Sequence, residues 1–209
     1  MRHLSIVLVI GLWLFGALTL TSVPLMAAPL AEVSRQQACG VERWPVKTLS
    51  DDDVGRVNFT PVPSRVSDLV GVRAPSRRTL QRMNRTRVVP SELRTVTLTA
   101  YTVLAKAETD SDFHVVIEDV DDPSITMIVE FPDAGACAQN TAPALVTQME
   151  AARAAFVQTF GVPPASHFAP VFGKAEITGV VFFDFKHGQR GVARNAIELH
   201  PVLGFHPVP

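Results

Sequence analysis

Between Arg94 and Leu203 the spacing of apolar residues changes from two to 3.6 and back to two, and no other feature constrains the fold more. In RTVTLTAYTVLAKAE, from Arg94, the residues Val96, Leu98, Ala100 and Leu104 alternate with Thr95, Thr97, Thr99 and Tyr101, which predicts a long half-buried strand. FHVVIED then turns Phe113, Val115 and Ile117 inward and His114, Val116 and Glu118 outward. After a DDPS turn at Asp121 to Ser124, ITMIVEF sets Ile125, Met127, Val129 and Phe131 against Thr126, Ile128 and Glu130. These three runs predict a meander. Leu145, Met149, Ala152, Phe156 and Phe160 share one stripe of a helix from Pro143 to Phe160, capped at Asn140 or Thr141 and ended by Gly161, Pro163 and Pro164. KAEITGVVFFDF and NAIELHPVL return to the shorter period. The first buries Ile177, Val181 and Phe183; the second buries Ile197 and Leu199 and turns Glu198 and His200 the other way.

The resulting order, β-β-β-α-β-β, predicts a mainly β domain over residues 93–209 with one helix. An OB-like five-stranded barrel has this order, its helix lying between the third and fourth strands. Closing the barrel also removes the exposed edges that separate strands would leave. An open α+β sandwich shares the order and is the alternative. Upstream, residues 28–92 are rich in Pro and Arg and lack a sustained period. They predict an irregular arm wrapped on the domain by Trp44, Val57, Phe59 and Leu69. The arm's last part carries Arg73, Arg77, Arg78, Arg82, Arg85 and Arg87 with no acid between them, read either as a solvated face or as a polyanion contact. Across the chain 19 Lys and Arg meet 20 Asp and Glu, so the basic excess usual in nucleic-acid binders is missing.

The chain opens with Met1, Arg2 and His3, followed by an uncharged run that reaches Glu32 and contains Pro24 and the small residues Ala27 and Ala28. This is the plan of a secretory signal peptide over residues 1–27, which would make the protein secreted, periplasmic or cell-surface, with no membrane span after cleavage. The run is also long enough to stay in a bilayer, so an uncleaved membrane anchor is the alternative. In an exported chain Cys39 and Cys137 are the only intramolecular pair and predict a disulfide; two buried free thiols are the alternative. The bridge closes a loop of about 100 residues, which in the chain-entropy model stabilises by about 4 to 5 kcal/mol.

Asp110, Asp112 and His114 offer oxygen and nitrogen ligands at every second residue, a pattern that admits a divalent metal and equally describes an acidic turn entering a strand. Glu198 and His200 are two apart on a strand, either as an acid/base pair or as an outer-face network in which Glu198 holds His200 or Arg194. No nucleophile elbow, phosphate loop or dinucleotide fingerprint occurs. No cofactor is predicted apart from that metal. The loop after the first strand is acidic, and the loop between the last two strands is basic through Lys186, His187 and Arg190. Opposed loop charges and a single tyrosine, Tyr101, argue against nucleic acid as partner.

The segments ERWPVKT from Glu42, DSDFHVVIED, TMIVEFP and GVVFFDFKHGQRGVARNAIELHPVL together resemble a group of exported bacterial proteins with no assigned activity. They share the closing pattern FFDFxHGQxGxAxNxIELHPVL. The resemblance covers most of the chain beyond the signal segment, implies a barrel-like β domain and brings no catalytic residues. The leading expectation is a monomeric exported binding or interaction module for an extracellular ligand. Its surface would join the Asp110 to His114 turn to the His187 to Arg194 loop. Two alternatives stand beside it. One is a metal-assisted hydrolase or nuclease using Asp110, Asp112, His114, Glu198 and His200 around an activated water. The other is a polyanion binder acting through Arg73 to Arg87.

Overall fold

The computed structural model describes residues 39–209, so the signal segment and the first part of the arm lie outside the described residues. The threonine-rich alternation forms β2 (Arg94–Ala107), the strand around which the others are arranged. β3 (Phe113–Asp119) and β5 (Ala169–Phe183) pair with it antiparallel. Val96, Leu98 and Ala100 are buried as the alternation requires. Between Thr102 and Leu104 the register slips against both neighbours, so Ala105 rather than Leu104 takes the core side beyond the bulge. β4 (Thr126–Phe131) pairs antiparallel with β3, and β6 (Ile197–Val208) pairs antiparallel with β5. β4 and β6 run parallel and meet only at Ile128 with Glu198 and Val129 with Leu199.

The protein is therefore mainly sheet with one long helix. The sheet has six strands, not five, in the order β1-β2-β3-β4-β6-β5, with a further β2–β5 pairing that makes an uneven ring. The sixth strand, β1 (Asn58–Pro63), comes from the arm and lies parallel to the start of β2. Its sequence NFTPVP carries two prolines, which a sheet tolerates on an edge strand because no partner needs the missing N–H.

The arm is thus more ordered than its composition predicts. It also forms three short helices, α1 (Trp44–Lys47), α2 (Val66–Val70) and α3 (Arg77–Leu80). Val57 and Leu69 are buried, Trp44 is half-buried, and Phe59 is exposed, contrary to the anchor role predicted for it. Buried ion pairs hold the arm to the sheet. Arg43 donates to both Glu92 carboxylate oxygens at 2.7 Å and to the Phe183 carbonyl at 2.7 Å, and Glu92 also accepts from the Val88 and Phe183 amides. Arg87 donates to Asp51 Oδ2 at 2.6 Å with both side chains fully buried. The basic stretch is consequently not one solvated face. Arg87 sits in the interior, Arg85 pairs with Asp52, and Arg77 stacks over the Phe185 ring.

α4 (Ala134–Cys137) presents Cys137 to Cys39, and the two form the predicted disulfide with Cα atoms 5.5 Å apart. α5 (Pro143–Phe160) has the predicted bounds, but its N-cap is Ala142, without a side-chain cap. Thr141 instead donates to the Thr48 carbonyl, tying the helix start to the arm. α5 buries Met149, Ala152 and Phe156, and the Phe156 ring packs against Phe113, Phe131 and Phe205 at centroid distances of 5.1 to 6.0 Å. Among the described residues no helix is long and apolar enough to cross a membrane.

Candidate functional site

Strand register assembles a polar cluster on the sheet face opposite the core. His114 of β3 stands directly across from Glu130 of β4, and Lys106 of β2 stands across from His114. Glu198 of β6 is opposite Ile128 of β4 and Phe182 of β5, so Glu130 and Glu198 are diagonal neighbours on one face. The prediction turned this face outward. In the folded chain His114, Glu198 and His200 are all buried: Arg43 and Lys47, at the start and end of α1, lie over the Phe182 ring, and the loop at 186–194 lies over Val116. Gly191 makes the second contact feasible: its φ is +77°, and a Cβ there would come within 2.4 Å of the Val116 side chain.

α1 brings Lys47 into this cluster, with Nζ 3.0 Å from Asp184 Oδ2. The side chains of Lys47, His114, Glu130, Asp184 and Glu198 line a cavity of about 540 Å³. Phe168, the loop residues Glu108 to Asp110 and the loop residues His187 to Arg190 complete its walls. Of the seven residues singled out from sequence, Asp110, His114, His187, Arg190 and Glu198 meet at this cavity. Asp112 and His200 do not. They face each other in the interior, Oδ2 to Nε2 at 3.2 Å, without the alignment of a hydrogen bond. Nor does Glu198 hold Arg194, whose Nε donates to the Val70 carbonyl.

Burial dominates the electrostatics. It opposes the charge on Lys47, but Asp184, Glu198 and Glu130 more than compensate and hold its pKa above the ordinary lysine range. Burial would likewise raise Asp184, yet Lys47 at 3.0 Å keeps that carboxyl below its usual value. Glu198 has no such partner; burial, reinforced by Asp184 and Glu130, pushes its pKa well up. For His114 burial is outweighed by Glu130, whose Oε1 lies 3.2 Å from Nδ1, so the ring stays protonated to higher pH than usual. Its Nε2 donates to the Arg190 carbonyl at 2.9 Å. Burial also raises the Asp112 pKa and lowers that of His200 to about 3, so both groups of that contact are pushed toward their uncharged forms.

Glu130 Oε2 and Glu198 Oε2, carboxyl oxygens of two cavity-lining residues, are buried and have no hydrogen-bond partner among the described residues. Among the described residues no three His, Cys, Asp or Glu side chains are arranged to hold a metal ion. Of the five residues expected for a metal-assisted hydrolase, Asp110, His114 and Glu198 line the cavity, whereas Asp112 and His200 contact each other and are not among its lining residues.

Lys47, Glu130, Phe168 and Asp184 were not singled out from sequence. Glu130 carried a usable signal, because folding FHVVIED back on ITMIVEF about the DDPS turn sets it across from His114. Lys47 carried none, since its position depends on how the arm docks. Compared with protein-family models, curated proteins and solved structures, the chain matches none.

Proposed function

We propose that this protein is an exported OB-like barrel that binds an uncharged, hydroxyl-rich ligand, a short oligosaccharide, in the cavity between its two charged loops. The observation that carries this reading is that two residues lining the cavity, Glu130 and Glu198, each keep a buried carboxyl oxygen, Oε2, without a hydrogen-bond partner among the described residues. A buried polar atom in that state costs about 1 to 3 kcal/mol, and a ligand hydroxyl relieves it. Hydroxyls both donate and accept, which suits a wall that mixes the donors Lys47 and Arg190 with the acceptors Asp110, Glu130 and Asp184. The same wall holds more acids than bases, which disfavours phosphate and other anions. Phe168 supplies an apolar surface for a sugar ring.

The barrel reading is supported by the β2–β5 pairing and by α5 lying between β4 and β5 in the chain. Export is supported by the disulfide together with the N-terminal pattern of Arg2, the apolar run and Ala27. The test is calorimetric titration of the mature protein with cellotriose, maltotriose, xylotriose and tri-N-acetylchitotriose, with inorganic phosphate and spermidine as charged controls. One trisaccharide should bind with Kd of about 1 mM or tighter. Glu130→Ala should weaken it at least ~10-fold, the loss of about 1.4 kcal/mol. Saturation by phosphate or spermidine alone, or by none of the six compounds, overturns the reading.

A further inference from the structure

The cavity also carries the groups needed to break the bond between two sugar units. We propose that Glu198 and Glu130 act there as general acid and general base in glycoside hydrolysis, an activity that rests on the oligosaccharide reading above.

The two side chains come from adjacent parallel strands and share one sheet face and one cavity. Each keeps one oxygen unpartnered. Their surroundings differ. Glu198 is completely buried and faces Lys47 from α1, Asp184 after β5, Glu130 on β4 and Asp112 before β3; burial and the neighbouring carboxyls leave it holding its proton past the ordinary glutamate range. Glu130 has His114 Nδ1 3.2 Å from Oε1, which fixes the carboxylate and leaves Oε2 to accept. His114 is fixed in turn by the Arg190 carbonyl. Asp184 is occupied by Lys47 and by the Phe185 amide, so it acts on the pair through charge rather than by contact.

The rest of the wall narrows the chemistry. Among the described residues that line it, Thr109 is the only hydroxyl side chain and none carries a thiol. A proton donor and a proton acceptor on one face suit an acetal, whose cleavage needs a proton on the leaving oxygen and a water made nucleophilic. In the step, the Glu198 carboxyl proton passes to the bridging oxygen as the bond from that oxygen to the anomeric carbon breaks. A water oxygen bonds to the anomeric carbon and gives its proton to Glu130 Oε2. The products are one alcohol and one hemiacetal; solvent then carries the proton from Glu130 back to Glu198. One water is consumed, and both carboxyl groups end as they began.

The experiment uses the mature protein, Glu198→Gln and Glu130→Gln, the trisaccharide that binds, and the 4-nitrophenyl glycoside of the same sugar. Circular dichroism first verifies that each variant is folded. Wild type should release shorter sugars with a bell-shaped pH dependence of kcat. Binding of each variant is titrated first, and at saturating trisaccharide both should cleave it ~10² to 10⁴-fold more slowly than wild type. The alkaline limb should disappear in Glu198→Gln. The aryl glycoside divides the roles: 4-nitrophenoxide departs without protonation, so Glu198→Gln should regain most of its rate on it and Glu130→Gln should not. If one variant fails to fold, the other carries the test. Binding without cleavage, or cleavage by both variants at the wild-type rate, overturns the hydrolytic inference and leaves the ligand reading standing. Absence of binding overturns both.

Discussion

Replacing Glu198 by glutamine should stabilise the protein, and the gain should grow with pH. The buried carboxyl has one oxygen without a partner and three carboxyl neighbours in Asp184, Glu130 and Asp112, against the single positive charge of Lys47. Its folded-state pKa therefore lies well above the ordinary glutamate value of 4.5. The sign follows from linkage: above pH 4.5 the unfolded chain releases this proton while the folded chain retains it, so stability falls as pH rises toward the folded pKa. Glutamine keeps the shape and cannot ionise. Each pH unit between the two pKa values then separates variant from wild type by about 1.4 kcal/mol, or about 3 to 6 °C in Tm for a chain of this size. The difference is negligible near pH 4 and reaches its plateau once pH exceeds the folded pKa. The assay is thermal unfolding of both proteins by circular dichroism at half-unit steps from pH 4 to 8, without ligand. A difference flat across that range, or a variant less stable than wild type at pH 7, would refute the claim that Glu198 is held unsatisfied for a ligand.

Three further outcomes follow from the fold. Glu92→Ala strands the Arg43 guanidinium in the interior and should cost about 3 to 5 kcal/mol in denaturant unfolding; an effect under about 1 kcal/mol would mean the pair does not anchor the arm. Cys39→Ser should lower stability by about 4 to 5 kcal/mol, and reductant should lower the Tm of wild type but not of the variant. Asp119 accepts from the Ser67 and Asp121 amides, which outweigh burial and lower its pKa to about 2. It contributes stability above pH 3.8 that is lost as pH falls toward 2, so Asp119→Asn should be less stable than wild type at pH 6 and equal to it near pH 2.

The strands and α5 were legible from residue pattern because their signals are local. Alternating Val, Leu and Thr at Arg94 to Ala107 make a strand wherever they are put, and the stripe from Leu145 to Phe160 makes a helix. The disulfide was legible because two cysteines allow one internal pairing. Two features misled. The bulge between Thr102 and Leu104 exchanged Leu104 for Ala105 on the core side, and nothing in a period of two announces a slip of one residue. The prolines of NFTPVP hid β1, since composition cannot distinguish a loop from an edge strand.

From sequence alone came which side chains share a face: His114 with Val116, Glu130 with Ile128, Glu198 with His200. Whether that face meets water was decided by tertiary structure, through Arg43 and Arg87 seating the arm and Gly191 letting the 186–194 loop lie on β3. Alternation along a strand is set by covalent geometry within a few residues, whereas burial depends on segments that contact one another across more than a hundred residues. The same polar row that would be an ordinary solvated surface becomes, under that cover, a closed cluster of shifted carboxyl and imidazole groups.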